Sequence, residues 1–217
     1  MSGAAKPIPG SARPEGVLEN VITFICFYVH SQGYSLSMTK LMKLVYLVEV
    51  YHTLLTRERI INVPFYRWNY GAYSPSVIGS LESLFSKGIL AEKVVKTQDG
   101  NLASLPVPKI SKTRISLTDS AREAVKSVLE DWADKDLEEI VRYTKKTLPF
   151  LNTAFGEKID FSRIDPVVEY AKEKGVSEAE AATRDIASNK PLIKSLRQAD
   201  KELREGESLL NWDEVFG

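Results

Sequence analysis

The chain is poor in the side chains that do chemistry. Cys26 is its single cysteine, so neither a disulfide framework nor a cysteine-based metal site can be built from it. Set inside an apolar run, Cys26 is expected as a small buried hydrophobe in a reducing compartment. The two histidines, His30 and His52, belong to no paired ligand spacing, and a hydrogen-bonded or exposed histidine is the expectation for each. No nucleophile with a base beside it, no acid–base pair and no metal constellation stands out, which argues against an enzyme and against a cofactor. Charge of one sign is also missing. The 29 basic and 29 acidic residues cancel, which speaks against a dedicated nucleic-acid binder while leaving local patches open. There is no long hydrophobic run either: Val17 to Val29 is interrupted by Glu19, Asn20 and Thr23 and is too short to span a bilayer. Residues 1–15 carry Lys6 and Arg13 with no hydrophobic region between them, unlike a secretion signal, and the expected location is the cytoplasm.

What is present is dense around residues 37–71. Apolar or aromatic side chains at Leu41, Leu44, Val45, Val48, Tyr51, His52 and Leu55 lay a stripe along a 3.6-residue period, predicting a core helix with a polar edge, capped by Ser35 or Ser37. Lys40 and Lys43 sit on that edge, where lysines that snorkel over a core Tyr46 are the plain expectation. Arg57-Glu58-Arg59 makes a polar exit. Phe65, Tyr66, Trp68 and Tyr70 then crowd into an extended segment that ends at Gly71 in a tight turn.

In chain order, residues 1–15 are expected to be a flexible N-terminus rich in Gly, Ala, Ser and Pro. A helix is predicted from Gly16 to the glycine at 33, and another from Pro75, after a Ser74 cap, to Gly88. Leu90 to Thr97, Asp99-Gly100 and the stretch from Leu102 read as a β-hairpin, its return strand made irregular by Pro106 and Pro108, with Arg114 to Leu117 as a further short strand. Ser120 to Glu123 reads as a capping box opening a helix through Trp132. A last helix runs from about Asp134 until Pro149 ends it. The fold class is therefore α+β, mainly α-helical, with a small winged-helix-like hairpin. The body is expected to span residues 16–165.

Residues 166–217 form an acidic tail, with 11 acidic and 8 basic side chains. A capping box at Ser177 to Glu180 and a narrow seam of Leu192, Leu196, Ala199 and Leu203 predict amphipathic helices too thinly apolar to hold a core. Leu209, Leu210, Trp212, Val215 and Phe216 follow. Large apolar groups on so charged a segment call for a partner surface, the alternatives being packing on the body or pairing in a homodimer. A second patch, Lys87, Lys93, Lys96, Lys109, Lys112 and Arg114, makes the hairpin region positive, as a DNA-tracking wing would be, although solvated lysines explain it as well.

The residues Lys40-Leu41-Met42-Lys43-Leu44-Val45-Tyr46, His52, and Trp68-Asn69-Tyr70-Gly71 resemble the Panacea (SocA-like) antitoxin domain family, most clearly over residues 38–80 and more weakly from Tyr143 to Ile159. Ala72 stands where that family usually has proline, and Tyr143 where a histidine is common. The resemblance implies a non-enzymatic antitoxin of a type II toxin–antitoxin system that binds its toxin directly, in some relatives acting as a protease adaptor. It makes Leu192, Leu196, Leu203, Leu209, Leu210, Trp212, Val215 and Phe216 the candidate toxin anchors. The alternative from a different class is a winged-helix transcriptional regulator bound to operator DNA.

Overall fold

The structure, a computed structural model, describes residues 15–96, 100, 102–111 and 113–164. These lie in one compact unit that ends at Ile164. The tail residues named above, Ser177 to Glu180 and Leu192 to Phe216, lie outside the described residues, as do Lys112, Asp99 and the first fourteen residues.

Six helices and two separate hairpins make up the described fold: α1 (Gly16–Ser31), α2 (Met38–Thr56), β1 (Tyr66–Trp68), β2 (Gly71–Tyr73), α3 (Pro75–Ser86), β3 (Leu90–Lys96), β4 (Leu102–Pro108), α4 (Asp119–Trp132), α5 (Leu137–Thr144) and the single turn α6 (Leu148–Leu151). A 3-10 turn, Phe161–Arg163, follows. The mainly helical α+β class is therefore observed.

Helix α2 is the axle. Ser37 caps it by accepting a hydrogen bond from the Lys40 N–H, and Arg57 closes it in the left-handed region at φ 62°. Helices α1, α4 and α5 and strands β2 and β4 pack against it, so the expected core stripe is present but its polar edge is buried as well. Lys40 and Lys43, on the predicted polar edge, are buried along with Leu41, Leu44, Val45 and Val48, as are Glu49 and Thr53, whereas Leu55, assigned to the stripe, is 60% exposed. Burying charge in the middle of a helix is tolerable only when each group finds a partner. Glu49 accepts from Arg59 Nε at 2.6 Å and from the Ile61 N–H at 2.7 Å. That pins the loop leaving α2, and the Arg59 guanidinium lies 4.5 Å over the Phe161 ring. Helix α1 buries Val21, Ile22, Ile25, Cys26 and Val29 against the same core, and burial pushes the Cys26 thiol upward.

Several boundaries differ from expectation for local reasons. Helix α4 begins two residues earlier than the predicted box, because Thr118 rather than Ser120 accepts the capping hydrogen bond, from the Ala121 N–H. Ser120 instead turns its hydroxyl to His52. Pro149 does not end α5; it occupies the first turn of α6, where its missing N–H costs nothing. Residues 113–118 form no strand, and the Ser116 N–H is satisfied by the Asn20 side chain at 2.7 Å. Nor do the two prolines disturb β4, which pairs with β3 in unbroken register from Leu90↔Pro108 to Lys96↔Leu102. At a spacing of two, both ring nitrogens face the strand edge that β3 does not use.

Candidate partner-binding site

The aromatic segment is a tight hairpin. Strands β1 and β2 pair Tyr66↔Tyr73 and Trp68↔Gly71, leaving Asn69 and Tyr70 at the tip. The outer edge of β1 is covered by residues 156–159: the Arg67 N–H donates to the Glu157 carbonyl and the Ile159 N–H to the Phe65 carbonyl. Beneath it the Arg67 guanidinium donates to the Thr153 carbonyl at 2.6 Å and lies 5.0 Å over the Phe150 ring. So braced, the hairpin presents Trp68, Tyr70 and Tyr73, at 49%, 74% and 39% exposure, along one lip of a groove. Phe155 stacks on Trp68 at 5.1 Å, fixing the indole. Met38, Met42, Ile78 and Leu137 line the rest of this cleft of about 380 Å³. A preformed, mostly apolar concavity of this size matches a binding pocket in scale.

Lys43 lies at its inner end. Its side chain is 3% exposed, and Nζ donates to the Ala72 carbonyl at 2.7 Å. Burial, helped by repulsion from Lys145, lowers its pKa to about 8. Gly71 is what lets the lysine in. Its φ of 90° belongs to the glycine region, and a β-carbon there would meet Lys43 Cε at 3.3 Å and Thr144 Cγ2 at 3.4 Å. Lysine, glycine and hairpin are thus one mechanical unit.

The other motif residues are structural. Lys40 Nζ donates to the Ala133 and Lys135 carbonyls at 2.8 and 2.7 Å, tying α2 to the end of α4. Burial lowers its pKa, with Asp134 and Asp136 acting the other way. Both lysines therefore point inward to carbonyls, which corrects the snorkelling expectation: the amines are held by backbone oxygens rather than by water. Tyr46 is fully buried, its hydroxyl 2.7 Å from Thr147 Oγ1 and its ring 5.5 Å from Phe65 and 5.6 Å from Phe161. Leu41 and Leu44 are core. His52 is buried and hydrogen-bonded on both ring nitrogens, to the Glu58 carbonyl and the Ser120 hydroxyl. Tyr143 packs its ring 4.3 Å from Trp132, whose indole N–H donates to Tyr51.

Residues 41–149 match the family model described as Antitoxin SocA-like, Panacea domain, which is half of the chain. The chain belongs to this family. The Panacea match runs from the first turn of α2 through both hairpins and α5 to the short helix at Pro149. Helix α1 precedes it in sequence yet fills the core beneath it. Of the residues on which the resemblance was drawn, Lys43, Trp68, Tyr70 and Gly71 converge on the groove, while Lys40, Tyr46 and His52 hold the helices around it. No curated protein and no solved structure matched the chain.

The basic patch is not one face. Lys87 is engaged by Glu19 at 2.9 Å and Glu15 at 3.3 Å. Burial alone would raise Glu19, but hydrogen bonds from Lys87, the Glu15 N–H and Ser83 hold it below the ordinary carboxylate value. Lys93 and Lys96 lie three apart on β3 and so project from opposite faces of the ribbon. Lys109 and Arg114 are exposed beyond it. Among the described residues, no three His, Cys, Asp or Glu side chains converge to hold a metal ion, and no helix is long and apolar enough to cross a membrane. Sequence reasoning missed Met38, Met42, Tyr73, Ile78 and Leu137 as members of the groove. Met38, Met42, Tyr73 and Ile78 adjoin the lysine–aromatic motif in sequence, whereas Leu137, at the start of α5, carried no signal.

Proposed function

We propose that the chain is an antitoxin, acting without catalysis in the cytoplasm by binding a toxin directly. Membership of the SocA-like Panacea family carries this reading. The exposed aromatic lip agrees with it, since aromatic side chains supply most of the energy in protein interfaces and are costly to leave in water. In this reading the Panacea body is the scaffold, and the tail anchors Leu192, Leu196, Leu203, Leu209, Leu210, Trp212, Val215 and Phe216 grip the toxin by folding onto it. Co-expression with the neighbouring reading frame tests it. That product should arrest growth alone and be rescued by this chain; a harmless product overturns the reading. Full rescue by a chain ending at Ile164 would remove the tail from it while leaving the body.

A DNA-binding role would use the β3–β4 ribbon as a wing, with exposed Lys93 and Lys96 on phosphates. Helix α3, in the position of a recognition helix, carries Glu82 and neither lysine nor arginine, so the interface reading is preferred.

A further inference from the structure

We propose that the Lys43 groove is a docking site for the toxin in its own right, seating an apolar side chain of the partner that is flanked by an aspartate or glutamate. The inference rests on the antitoxin reading above and adds to it a site on the body, separate from the tail.

Three observations converge. The walls are apolar and half exposed at one lip: Trp68 and Tyr70 stand in solvent above Met38, Met42, Ile78 and Leu137. A partner side chain entering there would cover both aromatic rings and the two methionines, whose unbranched chains adapt to varied shapes. The geometry is preformed, because the hairpin is braced from below by Arg67 and stacked by Phe155. Ordering the site on binding therefore costs little. The inner end is electrostatically unfinished. Lys43 is almost wholly buried with a backbone carbonyl as its acceptor, and its charged neighbour, Lys145 just beyond α5, repels it. A carboxylate arriving beside an apolar group would supply the compensation that the fold does not, in a charge-assisted hydrogen bond. A basic partner segment would meet the Lys43 charge and be disfavoured.

Two of the chain's three methionines line the groove, so its occupancy can be read directly. Full-length protein labelled with 13C at the methionine methyls is titrated with a catalytically silent form of the neighbouring-frame product. The Met38 and Met42 methyl signals should move as the complex forms, and Lys43→Gln and Tyr70→Ala should each weaken the affinity by about ten-fold. The glutamine keeps a donor for the Ala72 carbonyl while losing the charge. Tyr70 is 74% exposed, so its variant carries the test even where the Lys43 variant misfolds. Wild-type affinity in both variants with unmoved methyl signals overturns the docking site and leaves the antitoxin reading standing. Absence of any complex with the wild-type chain overturns both. Sodium phenylacetate saturating the same methyl shifts at the same concentration as the protein would assign the groove to small acids and overturn a protein partner.

Discussion

Lys43 makes a signed prediction about stability. Its ammonium is buried at 3% exposure and titrates near pH 8 in the folded chain, against 10.5 for a free lysine side chain. Between these values the unfolded chain holds a proton that the folded chain has released, so stability rises with pH across the window. Below about pH 8 the folded state carries the full cost of the buried charge. The whole shift of 2.5 corresponds to roughly 3 kcal/mol, of which about 2 kcal/mol develops between about pH 7 and about pH 9.5. Other groups titrate in the same range, so the measurement is a difference: urea unfolding of wild type and Lys43→Met, followed by circular dichroism across that interval. Methionine fills a similar volume without the charge, so the variant should lack this rise. The wild type should gain about 2 kcal/mol on it as the pH increases. Parallel pH profiles would refute the burial argument, and a wild type that loses stability relative to the variant would reverse its sign.

Gly71→Ala should destabilise the chain by about 2 kcal/mol or more in the same unfolding assay, because it combines a φ of 90° with a contact at 3.3 Å on Lys43; near-neutral behaviour would mean the lysine moves freely. Glu49→Ala leaves Arg59 and the Ile61 N–H without their acceptor and should cost about 3–5 kcal/mol, read as a lower urea midpoint. Tyr70→Ala should leave stability within about 0.5 kcal/mol of wild type, since the ring stands in solvent at the hairpin tip. Duplex DNA retardation, if any, should be abolished by moderate salt and change little in Lys93→Ala, because Lys93 and Lys96 do not share a face.

Local signals were readable wherever the physics is local. Gly33 and Gly88 close helices at φ 74° and 68°, Ser37 caps α2, and the β3–β4 hairpin is where its turn signal put it. Expectations failed where two local signals competed. Thr118 and Ser120 are both good caps, and the contact of Ser120 with His52 on another helix settled which was used. Proline spacing in β4 carried the information that both nitrogens share an edge, but whether that edge is paired depends on the partner strand.

By itself the sequence determined the family, the mainly helical class and the identity of the central segment, because capping, periodicity and glycine conformations act within a few residues. Only tertiary structure decided that α2 is enclosed on every side along its middle, from Lys40 to Val50. A helical period of apolar residues looks the same whether its polar edge faces water or the carbonyl oxygens of a neighbouring element. Lys40 finds Ala133 and Lys135, and Lys43 finds Ala72, across separations in sequence that no spacing rule reaches. The groove follows from the same fact: it exists because an ammonium group, a glycine at φ 90° and an aromatic hairpin meet in space.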